Sequence, residues 1–257
     1  MKYTFIICTF LLLSIDTFGQ HAHFTTSGTI QYDKNINMFG VIKKEIGKNT
    51  DGIWGQAFES YKKNNPQFKT LKSTLTFSKN KSLFNPIIPE TTINNGFFGD
   101  NPMANQNNVI YTDFTTSTAI SQKKVFEETF LVKDSTRKIR WKITDETREI
   151  AGYTCRRANA IMMDSIYVVA FYTTEIPISG GPESFSGLPG MILGVALPHD
   201  NVTWFATKVT DMTPPENALN PPKKGKATDN KGLNATLKSV MKDWGDYGQS
   251  YLKAFLL

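Results

Sequence analysis

The sequence of 257 residues is poor in the side chains that most often carry chemistry, with two cysteines and three histidines. Cys8 falls in an amino-terminal apolar stretch and Cys155 in the body of the chain. Once that stretch is removed as a leader, Cys155 has no internal partner, so a disulfide framework is excluded and stability must rest on an apolar core. Of the histidines, His21 and His23 lie near the start, so imidazole catalysis within the body of the chain falls to His199, in the turn Pro198-His199-Asp200-Asn201. There is no G-x-S-x-G, no H-E-x-x-H, no C-x-x-C, and neither G-x-x-x-x-G-K-[ST] nor G-x-G-x-x-G. The common serine-hydrolase, zinc and nucleotide signatures are therefore absent, and no cofactor is expected. No apolar run after the leader reaches the roughly 18 residues a membrane-spanning helix requires. Long blocks of one charge are lacking too. The net charge of +6, from 29 basic and 23 acidic side chains, is scattered. Such a distribution does not predict a nucleic-acid surface.

What is present starts with an address. Lys2 is followed by the apolar stretch Phe5–Leu13 and then by polar residues through Gln20, the layout of a secretory signal peptide. Thr17 and Gly19 suit the small-residue cleavage positions, which places the signal at residues 1–19 with the cut before Gln20; a cut after Gln20 is the alternative. Cys8 follows Ile6 and Ile7 rather than a small residue, so lipid anchoring is not expected. The remainder, residues 20–257, reads as one exported β-rich domain of the periplasm or cell envelope, soluble after cleavage.

That remainder shows short runs with two-residue alternation, bounded by Asn, Gly, Asp or Pro: Gly28–Tyr32, Leu71–Phe77, Val109–Phe114, Val125–Val132, Lys138–Ile143, Tyr153–Met162, Ser165–Tyr172, Met191–Val195 and Val202–Val209. Period two predicts strands, and the lack of helices between most of them predicts an antiparallel sheet. Ile53, Trp54, Ala57, Phe58 and Tyr61 share one helical face, with Thr50 or Asp51 as cap. Leu233, Leu237, Val240, Met241 and Trp244 predict a second amphipathic helix from about 232 to 245. Both stripes are read as core packing. Asn85–Asn108, with the exposed-looking pair Phe97-Phe98, reads as a long irregular loop, and 213–231 as an extended Pro- and Lys-rich linker. The expected fold is mainly β (α+β): a strongly curved antiparallel sheet or half-barrel with a few packed helices and an apolar groove.

Three kinds of chemistry remain open to these residues. Cys155 with His199 would make a nucleophile and base if the fold brought them together, while a strand position flanked by Thr154 and Arg156 equally suits a buried, idle thiol. Asp145, Glu146, Glu149 and Glu175 could form an acid–base pair, although surface placement is the default for carboxylates. For metal, a chain beginning His21-Ala22-His23 would wrap Cu(II), and Cys155 with Met163 would offer soft ligands to Cu(I). Met162 and Met163 point to opposite faces of a strand, so only one of them can join Cys155, and Met more commonly fills core gaps.

The most distinctive stretch is Glu175-Ile176-Pro177-Ile178-Ser179-Gly180-Gly181-Pro182-Glu183-Ser184-Phe185-Ser186-Gly187-Leu188-Pro189-Gly190-Met191-Ile192-Leu193. Together with Trp141, Thr147–Ala158, Val169–Tyr172 and Gly28–Tyr32, it resembles the GLPGLI family of exported Bacteroidetes envelope proteins, here written GLPGMI. Phe171 stands where the family usually has Trp, Met191 replaces Leu, and Gly194 takes a position often polar. The resemblance implies an envelope protein of unestablished activity. It directs attention to a motif loop, structural or ligand-binding, comprising Glu175, Pro177, Gly181, Pro182, Phe185, Gly187, Leu188, Pro189 and Gly190. Leu188-Pro189-Gly190-Met191 predicts a type II turn, with Pro setting φ and Gly taking the positive φ. The leading expectation is a non-enzymatic binding or accessory module, with a lipid or peptide ligand or an outer-membrane transporter as partner. Copper or thiol-redox handling and thiol hydrolysis are the alternatives.

Overall fold

Alternation becomes one twelve-stranded sheet in the computed structural model, which describes residues 24–47, 52–88, 98–99, 101–105 and 108–257. The strands are β1 (Ser27–Asn37), β2 (Phe68–Ser78), β3 (Lys81–Pro86), β4 (Asn108–Asp113), β5 (Thr118–Val125) and β6 (Glu128–Ser135). They continue as β7 (Lys142–Ile150), β8 (Tyr153–Met162), β9 (Ile166–Thr173), β10 (Met191–Leu197), β11 (Val202–Asp211) and β12 (Lys226–Thr228). Their order is β12-β6-β5-β4-β3-β2-β1-β11-β10-β9-β8-β7. Every neighbouring pair is antiparallel except the short β12–β6 contact, which is parallel.

The expectation of a half-barrel is corrected: the sheet is neither closed nor strongly curled, and β12 and β7 stand at opposite edges. Closure needs edge strands that meet with a common stagger, and β12 is three residues long. The other edge, β7, is mostly exposed and carries Asp145, Glu146, Arg148 and Glu149, charges that discourage edge-to-edge pairing. Twist is absorbed locally, by irregularities between Gln31 and Tyr32 in β1 and between Ile192 and Gly194 in β10.

Among the described residues, four α-helices accompany the sheet: α1 (Met38–Ile46), α2 (Ile53–Asn64), α3 (Asn230–Val240) and α4 (Gly245–Leu256). Helix α1 starts directly from β1 because the Asn37 side chain accepts the Gly40 amide at 3.2 Å. The stripe from Ile53 to Tyr61 forms α2, but core packing holds only for its later part, where Tyr61 is buried and Ala57 and Phe58 pack on the core, whereas Ile53 is 80% and Trp54 41% exposed; Thr50 and Asp51 lie outside the described residues. The second expected helix is α3, capped by Asp229 on the Gly232 amide at 2.6 Å. It ends earlier than the stripe implied, and Trp244 precedes a separate helix, α4, whose first residue Gly245 has φ +57°. The segment read as a linker, 213–231, holds a short 3-10 turn at Glu216–Leu219, strand β12 and the start of α3.

Three apolar clusters make the core. The largest joins α1, Tyr61 of α2 and Phe98 to β8–β11, Phe185, Leu188 and Leu257. The second gathers Ile30, Tyr32, Leu75, Phe77, Phe84 and Ile110 with Cys155, Ile176, Ile178 and Met191. The third packs α3 and α4 on β5 and β6 through Val125, Phe130, Val132, Leu233, Leu237, Tyr251, Leu252 and Phe255. Phe98, expected to be exposed, is 3% accessible and sets its ring on Tyr61 and Trp54; Phe97 lies outside the described residues.

Candidate functional site

The site begins with two lysines that the sheet register forces inward. In β1 the buried row is Gly28, Ile30, Tyr32, Lys34 and Ile36. Slipping one residue would expose Ile30, Tyr32 and Ile36, so Lys34 is carried into the interior with them. It pairs across the sheet with Trp204 of β11 and Leu71 of β2, and is 3% accessible. The corresponding row of β5 is Ser121, Lys123 and Val125, with Lys123 at 5%. The Lys34 Nζ donates to Asn105 O at 2.6 Å and lies 4.9 Å from the Trp204 ring centroid.

The connection from β9 to β10, residues 174–190, folds back as a fastened loop. Met191 N donates to Ile176 O at 3.0 Å and Ile192 N to Gly180 O at 2.8 Å. Trp141 Nε1 donates to Ser186 O at 2.9 Å, and Gly187 N to Ser179 Oγ at 3.0 Å. At the loop's inner turn Glu183 is 7% accessible and has φ +50°, a left-handed conformation that costs a non-glycine residue about 1–3 kcal/mol. Its Oε2 accepts Asn108 Nδ2 at 2.9 Å. Burial lowers Lys34 to about 8, opposed by the Glu183 charge and reinforced by Lys69. Burial likewise lowers Lys123 to about 8, with Arg137 adding to the effect and Glu183 opposing it. One carboxylate thus lies within the field of two buried lysines.

Beside Lys34 and Glu183 is a small, partly open cavity of about 30 Å³, lined by Lys34, Asn105, Asn108, Glu183, Phe185 and Trp204 and by Ala254, Phe255 and Leu257 of the chain's last helix turn. That volume accommodates a water or two. The buried indole Nε1 of Trp204 has no hydrogen-bond partner, an omission that costs on the order of 1–3 kcal/mol. The last turn of α4 forms the far wall. Lys123 Nζ donates to Phe255 O at 3.1 Å, Arg137 Nη2 donates to Leu256 O, and Ser184 Oγ donates to Leu257 O at 2.5 Å. Cationic donors at a helix C-terminus satisfy its free carbonyls and its dipole.

The motif turn differs from the expected type II geometry. Gly190 does not have positive φ; within the motif, the positive values belong to Glu183 and Gly187. Gly190 is required by proximity instead: a Cβ there would sit 2.0 Å from Thr173 O. Glycine at 194 has a similar cause, since a Cβ would meet Phe205 Cε1 at 2.6 Å. Of the other motif residues, Gly181, Pro182, Phe185 and Leu188 are buried, whereas Glu175, Pro177, Gly187 and Pro189 face solvent.

The candidate chemistry of Cys155 is not assembled. Its thiol is buried, donates to Tyr153 O at 3.5 Å, and is pushed up to about 12 by burial and by the Glu175 charge. His199 is exposed in a 3-10 turn, its ring 6.2 Å from Tyr167. Tyr167 pairs with Ile161, six residues along β8 from Cys155, which at about 3.3 Å per residue separates thiol and imidazole ends of the strand by about 20 Å. Met163 lies in the turn that follows β8, at the end away from Cys155. His21 and His23 lie outside the described residues. Among the described residues, no three His, Cys, Asp or Glu side chains are grouped to hold a metal ion. Asp145 and Glu146 pair with Arg156 and Arg157 on the exposed edge.

Lys34, Lys123, Arg137 and Trp204 escape a reading that looks for histidines, cysteines and motifs. A signal for the lysines does exist: each occupies the apolar-parity position of a strand, Lys34 between Tyr32 and Ile36, and Lys123 two residues before Val125.

Comparison with known proteins agrees with the fold and leaves the chemistry open. Residues 161–194 match the model of the family described as "Protein of unknown function (Porph_ging)", the GLPGLI family. No curated protein matches the chain. Among solved structures, PNGF-II in the P21 space group is similar at 15% identity and TM-score 0.50, over 82% of this chain and 33% of that one. PNGF-II in the C2 space group gives 13% identity and TM-score 0.49, over 89% and 33%. An uncharacterized conserved protein from Thermus thermophilus gives 6% and 0.39, over 80% and 92%. The chain therefore spans about a third of the length of the PNGF-II chains it matches.

Proposed function

We propose that this chain is an exported envelope protein, a signal at residues 1–19 followed by one β-rich domain, that acts as a non-enzymatic binding or accessory module. The observation that carries the reading is Glu183, buried, held in a left-handed conformation, within the field of two buried lysines and lining one cavity with Trp204, whose indole N–H is unpartnered. A sheet needs none of these features to fold, and each destabilises it; Lys34, Glu183 and the indole line a polar recess with apolar walls whose volume of about 30 Å³ admits a water or two, so a lipid or peptide ligand has to open it. The GLPGLI family match supports an exported setting. The fold likeness to one third of PNGF-II supports a unit that also occurs as part of a larger chain. Catalysis by Cys155 gains no support, because its thiol stays protonated at neutral pH and its only proposed base is remote.

Native mass spectrometry of the protein purified from a periplasmic fraction tests this reading. A noncovalent adduct that dissociates as a lipid or peptide, and that is lost in Glu183→Gln, is the expected result. A bare polypeptide mass in both proteins, with no partner recovered by chemical crosslinking in the same fraction, overturns it.

A further inference from the structure

The recess contains a donor that the protein leaves unsatisfied. Trp204 lines the cavity and is 2% accessible, and its buried Nε1–H has no hydrogen-bond partner among the described residues. An indole only donates, so the group that completes it must carry an acceptor. Lys34 is a second donor on the same lining. Its Nζ gives one proton to Asn105 O at 2.6 Å and lies 4.9 Å from the centre of the Trp204 ring, and an ammonium has further protons to offer. The acceptor is Glu183. Its Oε2 takes Asn108 Nδ2 at 2.9 Å, and a carboxylate has about four lone-pair sites in all. Much of the remaining wall is apolar, with Met103, Phe185 and Leu257.

These groups select a guest by charge. A cation meets the Lys34 ammonium and an anion meets the Glu183 carboxylate, and away from bulk water either encounter is costly. A neutral atom that both accepts and donates meets neither objection. A hydroxyl oxygen is such an atom: it accepts from Trp204 and Lys34 and donates to Glu183. The volume of about 30 Å³ gives room for about two water-sized groups. Two waters fill it, and so does one hydroxyl with the carbon that bears it, the carbon lying against the apolar wall.

We propose that the recess is a hydroxyl-binding site: it holds water in the free protein, and it takes the hydroxyl and adjoining carbon of a ligand in the water's place. The water stands on the cavity alone, whereas the ligand half rests on the binding-module reading and names the group by which that ligand is held.

Nuclear magnetic resonance of the isotope-labelled full chain reads the site through the Trp204 indole proton, assigned by Trp204→Phe or, where that variant does not fold, by through-bond correlation. The free protein should show cross-relaxation between this proton and water, with the sign of a long-lived bound water. Its absence overturns the water site. Methanol should shift the indole proton saturably and weaken the water peak, while formate and methylammonium at equal ionic strength should bind at least about 10-fold more weakly. Equal binding of the three, or no saturable shift with methanol, overturns the hydroxyl assignment. In Glu183→Gln, which removes the charge that opposes an anion, formate should bind more tightly than in wild type; unchanged exclusion overturns the charge argument. N-Acetylserinamide and monocaprylin carry the same group on a peptide and on a lipid frame. Binding tighter than methanol by either supports the assignment and identifies the source, and weaker binding by both overturns it. Native mass spectrometry separates the two readings. A retained lipid or peptide with no methanol shift rejects the hydroxyl site while the binding-module reading stands, and a methanol shift with a bare mass and no crosslinked partner rejects that reading while the site stands.

Discussion

Replacing Gly190 with alanine and with asparagine tests the account of the motif loop most directly, because a type II turn would accept asparagine at that position whereas close approach excludes any Cβ. The added Cβ would lie 2.0 Å from Thr173 O, 2.7 Å from Thr173 C and 3.0 Å from Thr174 Cα, all backbone atoms. No rotamer change relieves such a clash, so the entry of β10 must withdraw from the end of β9 by more than about 1 Å, judged against ordinary carbon–oxygen contact distances. The Met191–Thr173 pairing and the amide bonds of Met191 to Ile176 O and Ile192 to Gly180 O move with it. Overpacking of a tight interior costs about 1–3 kcal/mol, and two weakened backbone hydrogen bonds add about 1 kcal/mol each. We expect Gly190→Ala to lose about 3–5 kcal/mol, a fall of about 1–1.7 M in urea midpoint at an m-value near 3 kcal/mol/M. Gly187→Ala is the control. Its φ is +95°, but its Cβ would meet nothing nearer than Trp141 Nε1 at 3.6 Å. Only backbone strain of about 1–2 kcal/mol opposes it, and Gly187→Asn should recover part of that because Asn tolerates the left-handed region. Asparagine at 190 should be no better than alanine. Equilibrium urea unfolding followed by tryptophan fluorescence measures all four variants. A Gly190→Ala loss no larger than that of Gly187→Ala refutes the close-approach argument.

Three further outcomes follow from the buried charges and the thiol. Lys34 falls from 10.5 to about 8 in the folded state, so between those values the unfolded chain binds more protons and Lys34's contribution to stability increases with pH, by about 3 kcal/mol over the full window. The unfolding free energy of wild type minus that of Lys34→Met should therefore rise from pH 8 toward 10.5, a difference in which the opposing terms of Cys155 and Tyr32 cancel; a flat difference would show that the ammonium is not buried. Glu183→Gln removes the carboxylate that favours charge on both lysines and weakens the charge-assisted bond from Asn108, and should cost about 1–3 kcal/mol at pH 7. The loss should shrink by pH 10, where the lysines are neutral in the folded state, and a loss independent of pH would count against the coupling. Cys155, buried and pushed up to about 12, should react with a disulfide reagent at pH 8 at least about 100-fold more slowly in the native protein than in urea, the thiolate being the reactive form. Rapid native labelling of Cys155 would reopen the nucleophile reading.

The strands whose inward rows are apolar were legible as period two. Tyr153–Met162 coincides with β8, and the runs beginning at Met191 and Val202 start where β10 and β11 start. Legibility fails where the inward row turns polar. The first run stops at Tyr32 although β1 continues to Asn37, because Lys34 interrupts the apolar parity. The run Val125–Val132 spans a hairpin turn at Phe126, φ +52°, and so fuses the end of β5 with β6. The rest of β5 has Ser121 and Lys123 as its inward residues and reads as surface. Helix α4 was missed for a related reason: its stripe is divided from that of α3 only by the Met241–Trp244 turn, which local periodicity does not register. The edge strand β7 has almost no buried row, so nothing in its pattern distinguishes it from a loop.

These failures coincide with the candidate site, and the coincidence has a physical cause. A residue recruited to a buried recess must break the burial pattern of the element that carries it, since the same inward position cannot both follow the apolar row and present a charge. The lysine ammonium groups and the Glu183 carboxylate are costly to bury singly, and the fold tolerates them because they share one interior field and because backbone carbonyls at Asn105 and Phe255 accept the free protons. The motif that is most visible in the sequence works differently. Gly190 is dictated by a backbone contact and Gly187 by its left-handed φ, so those glycines fix the path of the loop rather than any chemistry. Their consequence is positional: by anchoring β10 beside Thr173 they deliver Glu183 and Ser184 to Lys34, Lys123 and the end of α4. A loop variant that keeps Glu183 and Ser184 but loses that path should therefore lose the recess, whereas a variant that keeps the path and neutralises Glu183 should keep the fold, at the stability cost given above, and lose the ligand.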